Sequence, residues 1–237
     1  MKLKNLFIAA FGALAMFGAT SCNESGGGNG GSGDLFYLDI ATIESSGDAG
    51  TVLTLRQNGD SPLVTLMTQQ RFNDDDFKTG ERVVISYHPV SNKQYESGNI
   101  YIQGAGATIG RGFAPKEATA EETHNWESDA VQMLNVWRTG EYVNLVFQAT
   151  TSTDPRLCEL YIDKASTNLS TPELRLIFKR IPGAMNSTYT FYASYNIGDL
   201  WNKDGVKGLR IICPDSNMLG GNTVNFIKDA SSLQPIN

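Results

Sequence analysis

From residue 36 to residue 227 the chain alternates apolar and polar positions with a period of two, the mark of strands that lay one face on a core. On the first such stretch Phe36, Leu38 and Ile40 stand opposed to Tyr37, Asp39 and Ala41. Thr51–Arg56 and Val64–Thr68 follow, separated by a turn signal at Asn58-Gly59-Asp60, and Arg82–His88 sets Val83, Ile85 and Tyr87 on one face. Asn99–Ile109 is a long strand broken by glycine, and Gly104, Gly106 and Gly110 suit the bulges of a strongly curled sheet. Five strands within residues 34–113 predict a small closed barrel, since closure removes the sheet's sticky edges.

A polar, proline-marked connection at residues 114–125 leads to a second run of alternation. Met133–Trp137 and Tyr142–Ala149 flank a turn at Thr139-Gly140-Glu141, which makes a hairpin with Val143, Leu145 and Phe147 pointing inward. Leu157–Ile162, Leu174–Lys179, Tyr189–Tyr195, Leu209–Cys213 and Val224–Ile227 continue the pattern, and Ile197–Trp201 predicts a helical turn. Short strands at regular intervals, with no long helical period, predict an immunoglobulin-like antiparallel β-sandwich over residues 126–237. The fold class expected is all-β, an OB-like barrel followed by that sandwich.

The first 33 residues follow neither pattern. Lys2 and Lys4 precede an apolar run from Leu6 to Phe17, and Ala19-Thr20-Ser21 leads to Cys22, so residues 1–21 read as a lipoprotein signal peptide. The fourteen residues from Leu6 to Ala19 would rise only about 21 Å as a helix, short of a hydrocarbon core roughly 30 Å thick, which argues against a membrane span. Cys22 is the expected lipidation site, its acyl chains (palmitate among them) contributing about 0.8 kcal/mol per buried methylene. Residues 22–33, nearly all glycine from Gly26 on, read as a flexible tether. Asn23 after the cysteine, instead of an acidic residue, resembles the sorting pattern for the outer membrane of Gram-negative cells. Whether the body faces the periplasm or the cell surface stays open.

Charge narrows the partners. Removing residues 1–21 takes two lysines and no acid from 19 basic and 25 acidic residues, leaving a formal charge of −8. Residues 34–125 hold 7 basic and 13 acidic side chains against 10 and 11 in residues 126–237, so the acidity belongs to the barrel. Nucleic acid is therefore not an expected partner. The partners expected are a membrane, through the N-terminal lipid anchor, and an envelope protein or glycan of unknown identity.

Candidate chemistry is sparse. Cys158 and Cys213 fall on the apolar phases of their strands, which suits a disulfide in an exported protein and suits two buried thiols equally well. Asp74, Asp75 and Asp76 could gather oxygen ligands for calcium, although their spacing is not that of an EF-hand. His88 and His124 are the only histidines, and neither sits in a glycine-flanked serine elbow or a metal-ligand spacing. No cofactor motif stands in the chain. Enzyme activity is therefore not expected. Trp126, Trp137, Trp201, Tyr37, Tyr101, Tyr142 and Tyr192 include aromatics on phases that reach solvent or the other module, which keeps carbohydrate binding as the alternative to protein recognition.

The order of signal, lipobox, glycine tether, barrel and sandwich resembles the NigD-like lipoproteins. Gly80-Glu81-Arg82-Val83-Val84-Ile85-Ser86-Tyr87 in the first module carries the resemblance, with Asn135-Val136-Trp137 and Tyr142-Val143-Asn144-Leu145-Val146-Phe147 in the second. That family takes its name from a member associated with a bacteriocin locus and suspected of immunity. The resemblance implies an envelope binding protein, immunity-like and without catalysis, and it transfers one functional position, the acylated cysteine, onto Cys22.

Overall fold

The structure is a computed structural model describing residues 36–73, 75–118, 127–151, 155–181, 183, 187–215 and 222–228. The segments expected to be a signal peptide and a tether, with Cys22, and likewise Asp74, His124 and Trp126, lie outside the described residues.

The first five strands are β1 (Tyr37–Gly47), β2 (Gly50–Leu55), β3 (Val64–Thr68), β4 (Arg82–Pro89) and β5 (Gly98–Ala107). They close into a barrel in the order β1-β2-β3-β5-β4, with β4 returning to β1. Every pair is antiparallel except β3 with β5, which meet in parallel at Leu66–Gly98 and Met67–Asn99. A register shift leaves Gln103 between the pairs Tyr87–Ile102 and Ser86–Gly104, so the ladder is disrupted beside one of the glycines expected to bulge. Ala41, Ile43, Leu53, Leu66, Val83, Ile85 and Tyr87 fill the interior. On β1 the inward phase is the one that carries Asp39; Phe36 and Leu38 face solvent. Asp39 is satisfied at the barrel end, where Tyr87 and Gln94 donate to Oδ2 at 2.9 and 3.0 Å and Tyr95 donates to Oδ1 at 3.0 Å.

The second module contains β6 (Lys116–Glu117), β7 (Gln132–Thr139), β8 (Tyr142–Thr151), β9 (Leu157–Ile162), β10 (Glu173–Lys179), β11 (Ser187–Asn196), the helical turn α1 (Gly198–Trp201), β12 (Gly208–Cys213) and β13 (Asn222–Ile227). One sheet runs β13-β12-β10-β9-β6 and the other β11-β8-β7. The two faces meet across Phe147, Phe178 and Phe191, whose ring centroids lie 5.3 to 5.7 Å apart. Val143 and Leu145 join Phe147 in that core, as the hairpin pattern predicts. Fully burying each such side chain contributes about 1.5–3 kcal/mol.

Two pairs correct the expectation of a purely antiparallel sandwich. β10 and β12 are parallel because β11, lying between them in sequence, sits in the opposite sheet, and the chain recrosses through α1 to return in the same direction. β6 is parallel to β9, so the head of the polar connection is an edge strand of the sandwich. Two polar residues carry no periodicity, and that strand was invisible in the sequence.

Candidate functional site

The modules are joined by a seam of backbone hydrogen bonds. Ile109 donates to Tyr192 O at 2.8 Å, Ser194 to Ile109 O at 2.9 Å, Gly112 to Ser194 O at 2.9 Å and Asn196 to Phe113 O at 3.0 Å, so the segment leaving β5 runs along β11 and covers its edge. Two glycines permit that approach. A Cβ on Gly110 (φ +78°) would stand 2.5 Å from the Tyr195 ring, and one on Gly112 (φ +79°) 2.5 Å from Arg82 Cγ. At the other end two turns read from the sequence interlock, with Gly59 donating to Arg138 O at 2.7 Å and Gly140 to Gly59 O at 2.6 Å.

Arg82 sits at the middle of the seam, on the outward phase of β4 and 3% exposed. Its guanidinium donates to Ser194 Oγ (3.2 Å), Thr42 Oγ1 (3.0 Å), Thr139 Oγ1 (3.4 Å) and Asn144 Oδ1 (3.2 Å), and its charge lies 4.5 Å from the centre of the Tyr142 ring. These partners come from both modules and none is a carboxylate. Burial pulls the guanidinium down to about 10, with the Tyr142 interaction opposing, so it remains charged at neutral pH. Ser194 Oγ donates to Asn144 Oδ1 at 2.8 Å and Asn144 Nδ2 to Thr139 Oγ1 at 2.9 Å, which closes the network.

Arg138 closes the rim. It grips Asp60 through two parallel bonds of 2.9 and 2.5 Å, donates to Gly140 O at 2.5 Å, and its guanidinium carbon lies 4.5 Å from the Trp201 ring centre. The Arg138 hydrogen bond holds the exposed Asp60 carboxyl below its ordinary value.

Two clefts open along this line. The smaller, about 420 Å³, lies over Arg82 and Arg138 and includes Glu44, Arg56 and Asp60. The larger, about 870 Å³, lies between residues 112–117 and 196–203, with an apolar lining that includes Phe113, Ile162 and Leu200 and carboxylates from Glu117, Glu141 and Asp199. Glu141 and Asn202 line both and are joined by a hydrogen bond of 2.9 Å. Lys203 also lines the larger cleft, its ammonium turned onto Thr167 O at 2.9 Å. Glu117 meets Lys164 at 3.7 Å, whereas Glu141 and Asp199 have no cationic partner among the described residues.

The residues singled out in the sequence are scattered. Cys158 and Cys213 are free thiols, so the disulfide reading is set aside in favour of the unpaired one. Burial pushes the Cys213 thiol up to about 12 and the Cys158 thiol higher still, which keeps both protonated and unreactive at neutral pH. Asp75 and Asp76 stand in an exposed turn organised by Asn73, whose side chain accepts from Asp75 N at 3.2 Å and donates to Asp76 Oδ2 at 3.0 Å. Arg111 reaches that turn, donating to Asp76 O at 2.9 Å and to Glu81 at 2.7 Å. Among the described residues no three His, Cys, Asp or Glu side chains gather as a metal site. His88 lies on the outer barrel wall with its ring 6.1 Å from that of Phe36. Tyr142 and Trp201 belong to the seam, Tyr37 packs on Tyr87, and Tyr101 is exposed.

The seam was missed as a unit. Its traces in the sequence were glycine at 110 and 112 and the two turns, none of which points to a junction, and a buried arginine on a strand's polar phase reads like any exposed one.

Fold and seam together define an all-β protein of two docked modules, a five-stranded Greek-key barrel of the OB type and a sandwich, with two clefts along their junction. Solved structures share this whole arrangement. A protein of unknown function, DUF1344, from Bacteroides vulgatus superposes with a TM-score of 0.62 at 17% identity, covering 85% of this chain and 95% of its own. A putative toxin-related protein from Parabacteroides distasonis gives 0.60 at 16%, covering 82% and 95%. A NigD-like immunity protein from Bacteroides caccae gives 0.57 at 15%, covering 81% and 97%. The resemblance to the NigD-like proteins is thereby shown as a likeness of fold. No family model matches the chain and no curated protein matches it in sequence.

Proposed function

We propose that this is an envelope protein of the NigD-like kind, anchored to the outer membrane through acylated Cys22, that acts by binding a partner polypeptide in an immunity-like role and not by catalysis. The larger seam cleft carries the reading. It joins an apolar lining to three carboxylates, two of them without a cationic partner among the described residues, on walls held by backbone hydrogen bonds from both modules. That combination suits an apolar polypeptide segment bearing Lys or Arg, which its own charge would steer toward a chain whose formal charge is −8 once residues 1–21 are removed.

The test is complementation in the producing strain. Deletion is expected to raise sensitivity to a neighbouring strain's antibacterial protein, and wild-type protein to restore resistance. Glu141→Lys with Asp199→Lys, both at exposed positions, is expected to leave folding intact and lower protection at least tenfold. Unchanged sensitivity on deletion, or full protection by the charge-reversed protein, overturns the reading.

A further inference from the structure

On the outer barrel wall opposite in character to the seam, β1, β4, β5 and β3 present a row of apolar side chains to solvent. Phe36 is 40% exposed, Leu38 48%, Met67 44%, Val90 53% and Tyr101 67%. The ladder brings them together. Phe36, the residue just before β1, and Leu38 on it point the same way because alternate residues of an extended chain do. The Phe36 ring meets His88, whose register partner on β5 is Tyr101. Val90 donates its N–H to Asn99 O at 2.9 Å, and Asn99 is the register partner of Met67. The polar residues among them, Ser86, His88 and Asn99, include no Asp, Glu, Lys or Arg, so this is an apolar patch with aromatic members and no acidic side chain, on the acidic half of the protein.

Its position in the chain says what covers it. The thirteen residues between Cys22 and Phe36 end at the patch itself, and a glycine-rich segment of that length spans about 20 Å root mean square. A lipid on Cys22 therefore holds this wall at roughly millimolar effective concentration to a bilayer. Aromatic and aliphatic side chains without formal charge are the ones that settle at a membrane's headgroup boundary, where a patch bearing Asp or Glu would be repelled. We propose that the wall formed by Phe36, Leu38, Val90, Tyr101 and Met67 rests on the bilayer interface, which fixes the orientation of the tethered protein instead of letting it swing freely. This inference rests on the anchored reading above.

The experiment supplies the tether artificially, so that it does not depend on acylation. The chain from Asn23 onward, carrying an N-terminal hexahistidine, is attached to phosphatidylcholine vesicles through a nickel-chelating lipid. A polarity-sensitive fluorophore is placed at Tyr101→Cys or, as a control on a sandwich loop, at Ser170→Cys, with the parent protein as labelling blank. The probe at 101 is expected to shift to the blue and brighten at least twofold on vesicles, the probe at 170 to stay as in water, and Leu38→Glu to return the 101 signal to its aqueous value. Vesicle-bound protein whose 101 probe stays aqueous, or responds to soluble glycans and not to lipid, overturns the inference while leaving the anchor untouched. An unmodified Cys22 in native material would instead remove the anchor and leave the vesicle result standing.

Discussion

The barrel end and the seam each bury one titratable group that has no partner of opposite charge among the described residues, and they do so with opposite consequences. Asp39 collects three donors, all from the barrel, and burial raises its carboxyl above the ordinary 3.8 despite them. Arg82 collects four acceptors, three of them from the sandwich, and keeps its proton at neutral pH. A buried group satisfied within one module makes that module specific. One satisfied from both fixes how the modules meet, because undocking would leave Ser194, Asn144 and Thr139 to find water and the guanidinium to find other partners.

The largest expected effect comes from breaking the second arrangement. Arg82→Ala removes four hydrogen bonds from a charged, buried donor and leaves their acceptors unpaired, and a loss of about 3–5 kcal/mol is expected. Urea unfolding should show a lower midpoint and a second transition as the modules separate; a single transition within about 0.5 kcal/mol of wild type would mean that the seam does not depend on Arg82. Gly110→Ala forces a methyl group toward the Tyr195 ring at a positive φ, and is expected to cost about 2–4 kcal/mol by the same assay. Asp39→Asn is expected to cost less at neutral pH than either.

The smallest effects are the sharpest discriminators, since Asp39 and Asp60 shift in opposite directions. With its folded value raised, Asp39 binds its proton more tightly in the fold than in the open chain. Stability from this group is greatest below 3.8 and falls as pH rises through the raised value. Asp60, lowered mainly by its Arg138 hydrogen bond, contributes above 3.8 and loses that contribution as pH falls through its depressed value. Solvent screening limits the exposed pair to about 0.2–1 kcal/mol. Asp39→Asn should abolish the rise in thermal midpoint as the pH falls toward 3.8. Asp60→Asn should abolish the salt-sensitive fall below it.

Most strands were legible because each has a stretch of alternation and a turn marker at its ends. The strands longer than β6 match stretches such as Arg82–His88 and Leu157–Ile162 to within a few residues, except β1, which runs on to Gly47, six residues past the stretch read from Phe36 to Ala41. Alternation announces two faces without saying which is inside. At the start of β1 the phase of Phe36 and Leu38 faces solvent, while the opposite phase puts Ala41 and Ile43 in the core and gives Asp39 three donors that lie far away in sequence on Tyr87, Gln94 and Tyr95. The parallel pairing of β10 with β12 was equally hidden, being a matter of which sheet β11 joins.

Local physics set the all-β class, the strand positions, the turns at Asn58-Gly59-Asp60 and Thr139-Gly140-Glu141 and the composition that argues against nucleic acid, since periodicity, turn chemistry and charge act over a few residues or over the whole composition. The docking of those two turns on one another, the burial of Arg82 beside Asn144 and Ser194, the unpaired state of Cys158 and Cys213 and the carboxylate-lined cleft came from packing. Each depends on residues tens of positions apart arriving at one place, and no spacing along the chain encodes that distance.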